Sequence, residues 1–173
     1  DPKTDIGPVI NARQLADVEA RVAGAVADGA RVLTGGKRSR RFPNGFFFEP
    51  TILVDVRPEM RIVATETFGP TMPIMKVRGI EEAIALANAQ EYGLGANIYT
   101  NNMEWAMTAM ERITAGTFWI NDPLTDNEAG PFGGMKKTGH SRELDVEGLD
   151  EFRETKHVHL DWKQEVKPYW YPY

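Results

Sequence analysis

The sequence predicts an α/β fold in which a largely parallel sheet is flanked by helices. Short runs of β-branched and aromatic residues alternate along the chain with segments whose apolar residues recur at helical spacing. Elements that alternate in this way imply right-handed crossovers and a sheet covered on both faces. The 173 residues, of which 42% are hydrophobic, are enough to bury a core, and a single domain is the expectation.

The first predicted element is a helix that Asn11 caps and Gly29 ends. Its apolar residues follow the helical period: Leu15, Val18, Val22 and Val26. The segment 31–34 is predicted to be a short strand. The run 46–54 is rich in aromatic and β-branched residues and predicts another strand, which Pro50 restricts to a sheet edge or interrupts.

The middle of the chain has the clearest alternation. A buried strand is predicted over 72–77, and further strands over 95–99 and 117–120. Helices are predicted over 80–89 and 102–113. These five segments support the α/β assignment.

The end of the chain departs from that pattern. Val158, Leu160 and Trp162 alternate with polar residues, which predicts a strand with one solvated face. Four of the last five residues are aromatic, and such a tail would expose apolar surface on a monomer. Docking onto another subunit or domain explains it best, and the alternative is a tail that folds back over its own core.

Composition and charge exclude several classes of function. The net charge of -5 gives no basic surface for nucleic acid, and the short basic cluster 37–41 is interpreted as a solvated loop. No apolar run reaches membrane-spanning length and the acidic start is unlike a signal peptide, so a cytoplasmic protein is expected. The chain has no cysteine and only three scattered histidines, so neither a thiol nucleophile nor a metal site is predicted within it.

Three loops carry residues that are capable of chemistry. The first, 65–70 (TETFGP), places a carboxylate and a phenylalanine before a Gly-Pro break. The second, 121–128, leaves a strand at the carboxyl end of the predicted sheet, where open α/β proteins bind ligands. The third, 129–139, is rich in glycine and lysine, but it lacks the spacing of a Walker loop and of a GxGxxG fingerprint.

Five motifs occur in a characteristic order: ETFGP at 66–70, GL at 93–94, AGTFWIN at 115–121, PFGGMKKTG at 131–139 and SREL at 141–144. Together they resemble the aldehyde dehydrogenase superfamily, and the opening segment 1–10 fits the same series. The resemblance runs along the whole chain. The segments 156–158 and 171–173 are most similar to the betaine-type and broad-specificity branches.

The resemblance implies a site for a nicotinamide cofactor, NAD or NADP. Glu66 matches a glutamate that accepts hydrogen bonds from the ribose hydroxyls beside the nicotinamide, and Phe68 matches a phenylalanine that packs against the nicotinamide ring. Gln14 matches a helix position that approaches the cofactor ribose in some members. Asp17 departs from the lysine often found one turn later.

The resemblance also implies residues that face the aldehyde. Phe132 matches an aromatic residue of the aldehyde tunnel, and Glu143 matches a glutamate near the catalytic centre that assists water or proton handling. Arg142 is interpreted as a structural ion-pair partner. Asp122 and Asp126 belong to a loop in which the family varies its substrate contacts, and acids there favour a polar or cationic aldehyde if they face inward.

The reaction implied is oxidation of an aldehyde to a carboxylic acid with reduction of NAD(P)⁺, through a thiohemiacetal on a cysteine. That cysteine and the deacylating glutamate are absent here, which predicts a C-terminal fragment that is inactive by itself. Residues 1–153 are assigned to the later part of the catalytic domain and 154–173 to an oligomerisation strand and tail. The family's dimers and tetramers imply a homo-oligomer. The alternative is a non-catalytic binding or structural module.

Overall fold

The computed structural model describes residues 3–122 and 125–163, which form two compact units. The first unit holds the residues up to Glu91 together with Asn102–Ile113, and the second holds Tyr92–Asn101 and the residues from Thr114 onward. No helix within this described part of the chain is long and apolar enough to cross a membrane.

The described residues form five helices and nine strands, several of them very short. In chain order these are α1 (Ala12–Ala27), β1 (Arg31–Thr34), β2 (Thr51–Val54), α2 (Arg61–Ala64), β3 (Thr71–Pro73), α3 (Ile80–Ala89), β4 (Tyr92–Gly93), β5 (Gly95–Ile98), α4 (Met103–Arg112), β6 (Thr117–Ile120), β7 (Phe132–Gly133), β8 (Met135–Lys136), β9 (Arg142–Glu143) and α5 (Asp145–Asp150). The α/β class is therefore confirmed.

The first helix begins and ends as the sequence predicts. The Asn11 side chain accepts a hydrogen bond from the Gln14 N–H at 2.9 Å, which satisfies one of the free donors of the first turn. Gly29 follows the helix with a φ of 103°, a value that glycine adopts without steric cost. Ala25 rather than Val26 completes the buried face, because the Ala25 carbonyl accepts from Ala30 as the chain turns back to the core and Val26 is left outside.

The core of the first unit lies between α1 and β2. Leu15 and Val18 of the helix and Leu53 of the strand are almost completely buried, and Met60 closes the core before α2. β2 pairs with β1 in antiparallel and with β3 in parallel orientation, so it is the central strand of a three-stranded sheet. Its residues alternate between fully and partly buried, as the period of a strand requires.

Two predicted strands of this unit are shorter in the structure. The prediction over 46–54 reduces to β2, preceded by an isolated bridge between Arg38 and Phe48, because Pro50 has no N–H to donate to a ladder. The prediction over 72–77 reduces to β3, and the Ile74 N–H just beyond it still donates to the Leu53 carbonyl at 2.8 Å. The helix predicted over 80–89 is confirmed as α3.

Helices α3 and α4 of the first unit are joined by an ion pair. The Arg112 guanidinium donates to both carboxylate oxygens of Glu81, at 2.7 and 2.8 Å, and this hydrogen bonding lowers the pKa of Glu81 below its ordinary value. Asn102 caps α4 by accepting from the Trp105 N–H.

The second unit is built from three separate strand pairs. β5 and β6 are parallel, whereas β4 pairs with β8 and β7 with β9 in antiparallel orientation. The described residues of the whole chain thus contain two parallel and three antiparallel pairs. Glycines in or beside these strands allow close backbone contacts, since a Cβ on Gly93, Gly116 or Gly133 would lie within 3 Å of a carbonyl oxygen.

The strand predicted over 154–162 is not formed by the described residues. Residues 153–161 have no assigned secondary structure, and the side chains of Val158, Leu160 and Trp162 are 74 to 81% exposed. A strand needs a pairing partner for its backbone groups, and the sequence pattern alone does not supply one. The aromatic tail 167–173 lies outside the described residues.

The central strand provides a test of the core. Leu53→Ala removes a side chain with no exposed surface and is expected to lower the free energy of unfolding by about 2–5 kcal/mol. Leu33→Ala, in the neighbouring strand β1 where the side chain is 54% exposed, is the matched control and is expected to cost less than about 1 kcal/mol. Urea unfolding followed by circular dichroism measures both, and equal losses would contradict this location of the core.

Candidate functional site

In the first unit, the loop between α2 and β3 presents Glu66 and Phe68 to solvent. The Phe68 side chain is 71% exposed, and the Glu66 carboxylate accepts no hydrogen bond from any described residue. Gly69 packs so closely on α1 that a Cβ there would lie 2.5 Å from a methyl group of Val18. The backbone of this loop is held against α1 while the two side chains project outward.

The side chain of Gln14 contacts the backbone of this loop. The Gln14 side-chain amide donates to the Phe68 carbonyl oxygen at 2.8 Å, from the first turn of α1. The structure therefore brings together all three residues for which the sequence predicted a cofactor role, Gln14, Glu66 and Phe68. The amide of Gln14 is already engaged with the protein backbone, so its contribution is to orient the loop.

The chemistry of Glu66 and Phe68 fits a nicotinamide nucleoside. A carboxylate with both oxygens free offers two acceptors to the vicinal hydroxyls of a ribose. An exposed apolar ring offers a face on which a planar heteroaromatic ring can stack. The two side chains lie two positions apart on one short loop, and both are exposed.

A second set of contacts holds the start of the same loop. Arg21 of α1 donates to the Asp17 carboxylate at 2.6 Å and to the Thr65 hydroxyl at 2.6 Å. Sequence reasoning did not find Arg21. The available signal was the Asp–x–x–x–Arg spacing, which places Asp17 and Arg21 on one face of a helix.

In the second unit, the register of two short strands pairs Phe132 directly with Glu143. Residues that face each other across an antiparallel pair have Cβ atoms about 5 Å apart, so two residues with separate predicted roles become neighbours. Leu144 and Asp145, which follow Glu143, both have positive φ values, 66° and 51°. Consecutive non-glycine residues in this region are costly, and such strain occurs mainly at functional turns.

Phe132 also lines an open cavity of about 430 Å³ within the second unit. Its wall includes three aromatic residues, Tyr99, Trp119 and Phe132, and the polar side chains of Asp126 and Asn97. A mostly apolar cavity with few polar groups is typical of a site for a small organic ligand.

The two predicted substrate-contacting acids have different surroundings. Asp126 lies in the cavity wall, whereas Asp122 is not among the residues that line it. The Asp122 carboxylate accepts from the Thr125 hydroxyl at 2.8 Å, and the Thr125 carbonyl accepts from the Trp119 indole N–H at 2.8 Å. Asp122 therefore helps to hold the loop, and Asp126 is the acid that faces the cavity. Residues 123–124 lie outside the described part.

The glycine-rich loop that follows is packed against its own strands. A Cβ on Gly133 would collide with the Ser141 carbonyl, so this glycine permits a close backbone contact. The Arg142 guanidinium donates to the carbonyls of Gly134, His140 and Ser141, at 2.9 to 3.0 Å. Arg142 is thus structural, as the sequence suggested, although its partners are backbone carbonyls rather than a carboxylate. Among the described residues no cluster of three or more histidine, cysteine, aspartate or glutamate side chains is arranged to hold a metal ion.

Comparisons with known proteins identify the family of the chain. The model of the aldehyde dehydrogenase family matches residues 1–158. The chain is 40% identical to a succinate-semialdehyde dehydrogenase (NADP⁺) of Deinococcus radiodurans over 91% of its own length and 33% of that protein. It is 40% identical to a betaine aldehyde dehydrogenase of Bacillus subtilis over 93% of its length and 33% of that protein.

Solved structures give the same result. Lactaldehyde dehydrogenase from Escherichia coli superposes with a TM-score of 0.87 at 40% identity, covering 92% of this chain and 33% of that one. Betaine aldehyde dehydrogenase from Staphylococcus aureus in complex with NAD⁺ gives 0.86 at 37% identity, covering 91% and 32%. The chain spans about a third of the length of the relatives that it matches. Since a family model matches 158 of its 173 residues, the chain belongs to the aldehyde dehydrogenase family.

Proposed function

We propose that the chain is part of an NAD(P)-dependent aldehyde dehydrogenase that oxidises an aldehyde to a carboxylic acid. The observation that carries this proposal is the exposed pair Glu66 and Phe68 on a loop held against α1. The chain corresponds to the C-terminal third of such an enzyme, in keeping with the share of each relative that it covers.

The first unit supplies residues that hold the reacting end of the cofactor. The nicotinamide, when bound, accepts a hydride from the aldehyde carbon. Phe68 limits the orientations of the ring by stacking, Glu66 accepts from the adjacent ribose hydroxyls, and Gln14 fixes the backbone between them through the Phe68 carbonyl. The relatives include proteins whose names state NADP⁺ and a structure with NAD⁺, so the proposed cofactor is NAD or NADP.

The second unit supplies residues that face the aldehyde. The aromatic wall of Tyr99, Trp119 and Phe132 together with the Asp126 carboxylate is suited to a polar or cationic aldehyde, since cations are attracted both to aromatic faces and to a carboxylate. Asp122 contributes through the loop that it holds. Glu143, opposite Phe132, is the accessory residue for water or proton handling.

Assembly into a homo-oligomer is proposed through residues 154–162. Their alternating apolar side chains are exposed and no described strand pairs with them, which suits addition to the sheet edge of a second copy. A non-catalytic module kept for this surface is the second candidate function. The exposed Glu66–Phe68 pair argues against it, because a purely structural protein has no use for that pair.

The 173-residue chain by itself is expected to oxidise no aldehyde with either NAD⁺ or NADP⁺. The reaction needs a thiolate nucleophile, and this sequence contains no cysteine. When the purified chain is incubated with acetaldehyde or betaine aldehyde, the absorbance of reduced nicotinamide (NADH or NADPH) should not rise above that of a protein-free blank. Turnover that persists through repeated purification would contradict the assigned chemistry.

Within an enzyme that joins this chain to a cysteine-bearing segment, Glu66→Gln is expected to lower kcat about tenfold or more. Losing one charged acceptor loosens the nicotinamide end, whereas most dinucleotide contacts lie elsewhere, so the Kd should change less than about threefold. Glu111→Gln, another exposed glutamate, is the matched control. A kcat equal to that of the control would show that Glu66 does not hold the reacting end.

The assembly proposal is tested by removing residues 154–173 from the same enzyme. We expect a smaller species by light scattering at low micromolar concentration, because the pairing edge is lost. A second deletion limited to residues 167–173 separates the aromatic tail from the strand. An unchanged oligomer after the longer deletion would rule out this segment as the interface.

A further inference from the structure

The loop that presents Glu66 and Phe68 is anchored by one arginine of α1. We propose that Arg21 is a positioning residue that fixes this loop by acting through Thr65. What the loop then orients, a nicotinamide nucleoside, rests on the function proposed above. The contact with Thr65 spans 44 positions of sequence, and no motif in the sequence indicated it.

The Arg21 guanidinium contacts the helix on one side and the loop on the other. Its Nε donates to Asp17 Oδ2 at 2.6 Å, one turn earlier on α1. Its Nη1 donates to the Thr65 hydroxyl at 2.6 Å, with longer contacts to the Thr65 carbonyl at 3.3 Å and the Thr67 hydroxyl at 3.5 Å. The side chain of Arg21 is only 11% exposed and its bond to Asp17 is partly buried, whereas its bonds to Thr65 lie at the exposed surface.

Asp17 prevents the guanidinium from turning away. Its Oδ1 also lies 3.3 Å from Nη2 of Arg61, so the carboxylate is placed between two cations. A carboxylate bonded to Nε holds the planar guanidinium in one orientation and directs Nη1 at the loop. Lysine has a single ammonium group without this fixed geometry, so it can keep only part of the arrangement.

The hydroxyl of Thr65 makes two hydrogen bonds with complementary roles. It donates its only hydrogen to the Arg61 carbonyl at 3.0 Å, which leaves a lone pair to accept from Arg21. Serine at this position keeps both bonds, whereas valine has the same shape and keeps neither. The pair Thr65→Ser and Thr65→Val therefore separates the hydroxyl from the packing of the side chain.

Contacts from α1 hold the loop at both of its ends, and those of Arg21 are at the near end. At the far end, Gln14 donates to the Phe68 carbonyl and Gly69 packs on Val18. At the near end, Arg21 is the anchor. Between these ends only the side chain of Glu66 and the ring of Phe68 project freely, which is the arrangement expected of a preorganised binding surface.

Amide hydrogen exchange of the 173-residue chain, resolved by NMR, tests the inference without any activity measurement. Arg21→Ala and Thr65→Val should each speed exchange at residues 66–68 about tenfold or more, while amides of the core strand β2 keep their protection. In the double variant Arg21→Ala/Thr65→Val, exchange at residues 66–68 should be less than about twofold faster than in the faster of the two single variants. Both changes remove the same Arg21–Thr65 contact, so their effects are not additive. Thr65→Ser should behave as wild type, and Arg21→Lys should be intermediate.

Arg57→Ala is the matched control, because Arg57 is an exposed arginine whose ion pair with Glu59 lies outside this loop. It should leave exchange at residues 66–68 unchanged. The inference is overturned if Thr65→Val leaves that exchange unchanged, or if Arg21→Ala speeds exchange across the β2 core to the same extent as in the loop. Should Arg21→Ala fail to fold, the Thr65 pair still decides the question.

Titration with nicotinamide mononucleotide separates this inference from the proposed function. If the nucleotide shifts the amide resonances of residues 66–68 in the wild type and Arg21→Ala weakens that binding several-fold, both are supported. If exchange responds as predicted but the nucleotide perturbs neither protein, the proposed function fails and the positioning of the loop by Arg21 stands. If the nucleotide binds both proteins equally, Arg21 has no positioning role for that ligand and the inference is overturned.

Discussion

The first unit depends on the packing of the apolar face of α1 against the central strand β2. Leu15, Val18 and Leu53 have almost no exposed surface, and burying them supplies the main driving force that holds helix and sheet together. The same contact fixes the direction of the polar edge of α1. Arg21 lies on that edge, and it reaches the loop after α2 because the helix cannot rotate without exposing its apolar face.

Different faces of α1 contact the core and the loop 65–70. The buried face of α1 is occupied by aliphatic side chains, and the adjacent edge bonds to the backbone and hydroxyl groups of a single loop. Glu66 and Phe68 consequently take no part in packing. Their side chains are exposed on a loop whose backbone accepts a hydrogen bond from α1, and a loop held in this way would lose less conformational entropy on binding the proposed cofactor.

The second unit also holds its predicted site residues in a fixed arrangement, although it contains very little regular structure. Two-residue strands would be marginal by themselves. They persist here because glycine permits close backbone contacts and because Arg142 bonds to three carbonyls of the intervening loop. The outcome is a fixed register in which Phe132 faces Glu143. The proposed reaction assigns the exposed pair of the first unit to the cofactor and the cavity of the second unit to the aldehyde.

The sequence by itself determined the features that depend on neighbouring residues: the class of fold, the helices α1 and α3 with the Asn11 cap, the short strands β1 and β6, and the motifs that identify the family. Periodicity, caps and breakers act over a few positions, so they can be read without the fold. Only the tertiary structure decided that Asp126 rather than Asp122 lines a cavity, that the segment 154–162 forms no strand within the described chain, and that Arg21 reaches Thr65. Each of these depends on residues distant in sequence or on a pairing partner, and a local pattern carries no information about either.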